Sequence, residues 1–333
     1  MRDASRKERR MVFHRSERIK RAALIPNENG IRAAKTTTGI FMKKSLLAFG
    51  EILFDVYPTG AKIGGAPLNF AAHFAALGNE STMCSALGAD DYGREARAFL
   101  KRSDVCDTYV ATLSDCPTGY CGVTYENGEP KYDLVRGVAY DKIPFPEGVC
   151  GKRWDLFYFG TLALRGEKSR ETAKRLLAEA KAKTRFCDLN LRGSFYTWET
   201  VLFCFENADV VKLNREEYAY CRKMLSEEGD MPSFARSLCR RFSLCAVLIT
   251  LDKDGCFFYD AASDRAVEKG ISPCRFVSAV GAGDSFSACF LHHYLDGAPF
   301  ETALEKAARL SAYVVSFEEA IPAYDAEIRA AIG

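Results

Sequence analysis

The sequence predicts an α/β protein: a three-layer α/β/α sandwich around a mostly parallel central sheet, with a small antiparallel β lid. Three observations predict it. Short runs rich in β-branched and aromatic residues alternate with helical runs, the rhythm of a parallel sheet covered on both faces. That rhythm breaks near residues 55–64 and 108–137, where short strands and turn residues suggest hairpins. A chain of 333 residues, 48% of them hydrophobic, can bury a large core, and no Pro/Gly/Ser-rich linker divides residues 43–333.

The strands expected are Leu46–Phe49, Met83–Leu87, Leu156–Phe159, Phe186–Leu189, Val210–Leu213, Ala246–Leu251 and Phe257–Tyr259. The helices expected are Pro67–Leu77, Tyr92–Lys101, Lys168–Lys183, Glu216–Leu225, Pro232–Arg241, Asp284–Tyr294 and Glu301–Ser316. The first helix has marked ends. Pro67 suits a first turn, where its missing N–H costs nothing, and Gly78 is a natural stop. Its small apolar residues lie all round the wheel, so it should pack on more than one side. In the helix from Lys168, Ala173, Leu176, Leu177 and Ala180 fall at spacings of three and four and form one sheet-facing stripe. In the lid, the run Gly119 to Tyr125 leads into a turn at Glu126-Asn127-Gly128-Glu129.

Composition excludes several classes. Lys+Arg and Asp+Glu number 46 and 44, and the basic excess is concentrated before residue 45. The remainder is mildly acidic, which argues against a nucleic-acid surface. No apolar run reaches the length of a membrane span. The thirteen cysteines include no C-x-x-C pair, and most sit in apolar runs, as small buried hydrophobes in a reducing, cytoplasmic setting. The four histidines have no zinc spacing. The basic leader, residues 1–42, lacks the uninterrupted apolar region of a secretory signal; it reads as an over-extended start or a disordered tail, with an organelle transit peptide as the sharper alternative.

Two glycine turns carry the chemistry. In Val280-Gly281-Ala282-Gly283-Asp284-Ser285 the side-chain-poor turn lets backbone N–H groups approach an anion, and the following helix aims its positive dipole end the same way. Asp284 is placed to take a proton from an attacking hydroxyl in phosphoryl transfer; an Asp after Gly at a helix start is also a common N-cap. The other turn comes first along the chain, where Gly64-Gly65-Ala66-Pro67-Leu68-Asn69 opens the first helix. Asn69 there can bond sugar hydroxyls or satisfy local backbone.

Together these elements resemble the ribokinase-like, PfkB-type carbohydrate kinases, and the likeness runs from about Leu46 to about Pro322. Phe49-Gly50-Glu51-Ile52-Leu53-Phe54-Asp55, Pro117-Thr118-Gly119, Tyr158-Phe159-Gly160-Thr161-Leu162-Ala163, Asp188-Leu189-Asn190-Leu191-Arg192, Val211-Lys212-Leu213-Asn214-Arg215-Glu216-Glu217 and Leu248-Ile249-Thr250-Leu251 follow the family's order. The wording of the first turn and of Phe159 to Ala163 is most similar to bacterial fructokinases. The resemblance implies an ATP-dependent enzyme phosphorylating a primary hydroxyl of a sugar, with fructose foremost. A sugar acid such as 2-keto-3-deoxygluconate, a nucleoside, or a non-catalytic sugar-binding role are the alternatives. It implies that Asp55, Gly64, Gly65, Asn69 and Asn190 bind sugar, and that Arg192 and Gly281 to Gly283 stabilise the transferring group. Asn214, Thr250 and Gly255 would meet the nucleotide, and Glu217 would reach Mg²⁺ through water. As a plain structural residue, Asn214 would serve equally as an N-cap. In relatives the lid closes over the sugar and often supplies a homodimer contact.

Four positions depart from the family pattern. Ser278 replaces an Asp that in many relatives helps hold a monovalent cation, which puts potassium activation in question. Asp252 stands where Gly is usual, and an acid near a triphosphate is repulsive unless it points away. Ala308 and Glu319 replace the common Asn and Gly around the adenine.

Overall fold

The computed structural model describes residues 43–126 and 129–333. The leader, residues 1–42, and the Asn127-Gly128 centre of the expected turn lie outside the described residues. In chain order the strands are β1 (Ser45–Phe49), β2 (Leu53–Tyr57), β3 (Gly60–Gly64), β4 (Glu80–Gly88), β5 (Val105–Leu113), β6 (Gly119–Glu126), β7 (Glu129–Leu134), β8 (Arg153–Gly160), β9 (Lys181–Asp188), β10 (Val210–Asn214), β11 (Ala246–Thr250), β12 (Cys256–Asp260) and β13 (Arg265–Lys269). The helices are α1 (Ala66–Ala76), α2 (Asp91–Arg102), α3 (Glu167–Glu179), α4 (Trp198–Asn207), α5 (Arg215–Leu225), α6 (Met231–Phe242), α7 (Ala282–Leu295), α8 (Phe300–Val314) and α9 (Ala326–Ile332).

Nine strands form one sheet in the order β13-β12-β11-β10-β9-β8-β1-β4-β5. It is parallel from β5 to β11 and ends in two antiparallel pairings. Strand alternation builds the three layers. Leu46 and Ala48 of β1 face a core shared with α1, α2, α7, α8 and α9. Leu47 and Phe49 face the opposite core, with α3, α4, α5 and α6. The chain runs from β1 outward to β4 and β5, then returns to β8 on the other side of β1. The order therefore reverses beside β1, the place where open α/β sheets leave a crevice at the carboxyl ends of their strands. No helix among the described residues is long and apolar enough to cross a membrane.

The lid is a second sheet in the order β3-β2-β6-β7. Its two antiparallel hairpins join through a parallel β2–β6 pairing that sets Asp55 opposite Cys121. Asp90 anchors its base. That carboxylate caps α2 through the Gly93 N–H (2.8 Å) and also accepts the Thr118 N–H (2.7 Å) just before β6.

Two expectations need correction. Residues 108–113 belong to β5, the edge strand of the large sheet, and not to the lid. Their alternating exposed and buried positions look the same in an edge strand and in a flap. The helix expected over 168–183 ends at Glu179, where Ala180 turns extended (ψ 128°) and β9 begins at Lys181. The Ala/Lys run suits a helix by propensity, but pairing with β8 claims it. Helix α4, capped by Thr197, is not among the expected elements, and neither are β13 and α9.

Candidate active site

The crevice is built from strand ends on one side and two helix starts on the other. Helix α1 begins behind Gly65, whose φ of 114° suits glycine, and an added Cβ there would lie 2.5 Å from the Glu51 carbonyl oxygen. A Cβ on Gly64 would stand 3.5 Å from Asp55 Oδ2. Two carboxylates, Glu51 below and Asp55 beside, therefore flank the first glycine turn. Burial raises the Asp55 carboxyl, with the Arg192 charge opposing. Burial pushes Glu51 up to about 7, against its own backbone N–H and Arg192.

Helix α7 begins behind Gly281 (φ 80°), which occupies the N-cap position without a side-chain bond. Asp284 is therefore inside the first turn and is not the cap. Its Oδ2 accepts a hydrogen bond from Asn69 Nδ2 at 2.8 Å, across 215 residues of chain. The second turn is thus stitched to the first through side chains. Asn69 Oδ1 is buried without a partner, an acceptor left open beside the carboxylate. Burial and the Asp188 charge push Asp284 up to about 6, while the Asn69 amide, Lys212 and Arg192 hold it down.

Beneath the second turn lies a buried ion pair, Lys212 Nζ to Asp188 Oδ1 at 3.2 Å, with side chains 7% and 1% exposed. A Cβ on Gly283 would sit 3.3 Å from Lys212 Nζ, so the ammonium supports the turn from below. Burial pulls the Lys212 pKa down, but the Asp188, Glu217 and Asp284 carboxylates outweigh it and the net shift is upward. Lys212, Asp188 and Glu51 were absent from the expected site. A lysine inside the apolar run Val210-Val211-Lys212-Leu213 was the available signal, since a buried strand holds a charge only when it is paired.

Behind the glycine turn, Gly281 packs on the loop after α8. An added Cβ would lie 2.5 Å from the Ala320 carbonyl oxygen and 2.9 Å from its Cα. His73 of α1 fixes that loop. Its Nε2 must donate to the Ala320 carbonyl oxygen (2.9 Å), so its Nδ1 accepts from the Tyr324 hydroxyl (2.6 Å). Gly281→Ala is accordingly expected to displace the turn and lower kcat by about 10²-fold, the scale of losing one anion-hole donor. Gly78→Ala, with a φ of 86° but open space around it, isolates the backbone strain. Equal kinetics for the two variants would refute the packing argument.

The remaining expected residues divide. Asn190 ends the β9 turn at a φ of 42°, and Arg192 is exposed at the crevice. Asn214 is an N-cap, as its plain reading allowed. Its side chain accepts the Glu217 N–H, and Glu217 Oε2 returns to the Asn214 N–H at 2.8 Å. Glu217 Oε1 accepts the Leu191 N–H at 2.7 Å, so this carboxylate braces the Asn190–Arg192 turn. Thr250 lies opposite Asn214 in the sheet, farther along the strand ends. Gly255 (φ 95°) is fixed by the β11–β12 hairpin, where a Cβ would meet the Lys269 carbonyl oxygen at 2.0 Å.

The departures find local partners. Asp252 takes a φ of 52° and accepts from Arg215 Nε at 3.1 Å, and Asp254 meets the same guanidinium, so the two acids share one positive charge. The Ser278 hydroxyl accepts the Val280 N–H at 3.2 Å. The Val315 carbonyl oxygen, facing it, is bound by the Val277 and Ser278 N–H groups. Ala308 is buried in α8 and Glu319 is exposed.

A doubly covered parallel sheet, a lid over the strand ends and an aspartate behind a glycine turn define a sugar kinase. The chain belongs to the pfkB family of carbohydrate kinases, whose profile matches residues 43–326. Fructokinase-1 of Oryza sativa subsp. japonica is 26% identical over 313 residues, covering 85% of this chain and 95% of that protein. The 5-dehydro-2-deoxygluconokinase of Geobacillus thermodenitrificans is 26% identical over 285 residues, covering 79% and 82%. The crystal structure of a Vibrio cholerae fructokinase with fructose, ADP and calcium bound shares the fold, with a TM-score of 0.73 over 86% of this chain and 98% of that one at 19% identity.

Proposed function

We propose that the protein transfers the γ-phosphoryl group of ATP to the C6 primary hydroxyl of D-fructose, with Asp284 as general base. The observation that carries the reading is the Asn69–Asp284 hydrogen bond. It joins the sugar-side turn to the phosphate-side turn and leaves the buried Asn69 Oδ1 open to a sugar hydroxyl. Asp55, Asn69 and Asn190 hold the sugar, and Gly64 and Gly65 let it lie against bare backbone. Asp284, partly neutralised by its surroundings, takes the hydroxyl proton as the oxygen attacks the phosphorus. Arg192, the Gly281 to Gly283 N–H groups and the Lys212 charge beneath them stabilise the negative charge in flight. Asn214, Thr250 and Gly255 line the strand ends where ATP would lie.

Among the described residues no group of three or more His, Cys, Asp or Glu side chains gathers as a metal cage. Glu217 already accepts two backbone N–H groups. Both facts fit Mg²⁺ that arrives on the nucleotide and keeps its water, with Glu217 touching only that water. Such an ion supplies charge to the phosphate oxygens. Ser278, uncharged and bonded to Val280, supports a site that works without potassium. The lid remains the face we infer for a homodimer.

Fructose is favoured over other sugars by the rice relative, and the Geobacillus relative keeps a ketonic sugar acid as the second reading. ADP release with Mg-ATP should be measured against fructose, 2-keto-3-deoxygluconate, ribose, tagatose 6-phosphate and adenosine. We expect kcat/KM to be highest with fructose, by at least about tenfold, the span of a single good hydrogen bond. A higher value with the sugar acid would replace the substrate and keep the mechanism. Fructose binding by calorimetry with no turnover on any of the five would leave only the non-catalytic role.

A further inference from the structure

Where the lid meets the body, aromatic and guanidinium groups are stacked in an order that no part of the mechanism above uses. The Arg165 guanidinium lies 4.8 Å from the centre of the Tyr140 ring and 4.7 Å from that of Phe195. Arg136 lies over the same Phe195 ring at 4.6 Å. Arg165 is 3% exposed and is clamped by Asp141, Nε to Oδ1 at 2.7 Å and Nη2 to Oδ2 at 3.2 Å.

Both ends of the β6–β7 hairpin of the lid rest on this stack. Gly119, where β6 begins, has no room for a Cβ, because one would fall 2.4 Å from the Tyr140 ring. Where β7 leaves the lid, the Val135 carbonyl oxygen accepts from Arg165 Nη2, and Arg136 follows at once. The far end of the stack enters the phosphoryl side of the crevice. Phe195 closes a turn on Arg192 through its N–H to the Arg192 carbonyl oxygen at 3.0 Å. That turn carries two positive φ values, 42° at Asn190 and 48° at Gly193, and Glu217 fixes it only on its strand side, at Leu191. On its other side Phe195 holds it, next to Tyr196 and Trp198, which pack edge-on against Tyr220.

We propose that Phe195, held by the guanidinium groups of Arg136 and Arg165, is a positioning residue that transmits the placement of the lid to Arg192. The inference rests on Arg192 acting in phosphoryl transfer, as proposed above. With the lid seated on sugar, Arg136 fixes the Phe195 ring and the ring fixes the turn, so Arg192 reaches its working position only when the acceptor is covered. This deters transfer to water. Cation–π contact, which depends on the electron-rich ring face, is the physical link, and aliphatic packing does not replace it.

The test uses full-length protein carrying Phe195→Leu, Phe195→Tyr, Arg136→Gln, Arg192→Ala and the double variant Phe195→Leu/Arg192→Ala. Phe195→Leu should lower kcat between about threefold and thirtyfold, the range that loss of such contacts spans. KM for ATP should change less than about twofold, because the turn acts on the transition state. Phe195→Tyr should restore kcat. Arg136→Gln, an exposed change that leaves the core intact, should reproduce a smaller part of the loss. The double variant should be no slower than Arg192→Ala alone. Phe195→Leu at wild-type kcat, Phe195→Tyr as slow as Phe195→Leu, or losses that multiply in the double variant would each overturn the coupling. Should Phe195→Leu fail to fold, Arg136→Gln and Phe195→Tyr still decide the matter, the first by its loss and the second by its recovery. Arg192→Ala at full kcat would instead remove the role of Arg192, and this inference with it.

Discussion

Asp284→Asn is expected to lower kcat by about 10²- to 10⁴-fold, the range that a positioned general base contributes. Sugar and nucleotide affinities should stay near wild type. The substitution keeps the size and the helix position, and an amide can still bond Asn69 after a flip, so folding should survive. The pH profile gives a second, independent signature. Only the ionised carboxylate accepts a proton, and its surroundings place Asp284 at about 6. In the wild type, kcat/KM should therefore fall with unit slope as pH drops through about 6 and level off above it. In Asp284→Asn that limb should vanish. A variant that keeps wild-type turnover, or keeps the acid limb, would show that the proton goes elsewhere.

Lys212→Met should cost about 3–5 kcal/mol of stability, read from urea unfolding, because it leaves the Asp188 carboxylate charged, buried and alone. Replacing both partners, Lys212→Met with Asp188→Leu, should recover most of that loss, since two apolar groups of similar volume leave no orphan charge. The kinetic sign follows from the same geometry. Lys212 lowers the Asp284 pKa and Asp188 raises it. In Lys212→Met the acid limb should therefore move to higher pH, and in the double variant it should move back. A single variant as stable as wild type would mean that the pair is solvated in solution and does not act as a buried support for the turn.

How far the sequence reveals the molecule depends on whether a feature is local. The two glycine turns were legible because backbone conformation, helix start and functional side chain all sit within ten residues. The ends of α1 were legible from Pro67 and Gly78 for the same reason. Strand runs such as Val210–Asn214 were readable because burial on both faces demands continuous apolar residues. The β5 edge was not, since one of its sides faces solvent and its pattern mimics a flap. Lys212 and Glu51 were missed for a different reason. Their parts in the site come from what long-range packing places above them, Gly283 in one case and Gly65 in the other. Glu217 shows the converse. Its spacing from Asn214 was visible, but its second bond, to the Leu191 N–H, comes from strand neighbours and not from chain order.

The same long-range stitching bears on how the protein is made. Ten of the eleven residues of α1 are buried, so the helix has no face suited to water. Its main helical neighbour, α7, begins at Ala282. At ordinary ribosomal speeds of roughly 5–20 residues per second, the nascent chain carries α1 for roughly ten to forty seconds before that neighbour exists. Through that interval an almost fully buried helix has only the strands β1, β4, β5 and β8 to lean on. Premature termination anywhere before α7 would release a chain with a sticky, half-covered sheet, a natural client for a chaperone and a ready substrate for proteolysis.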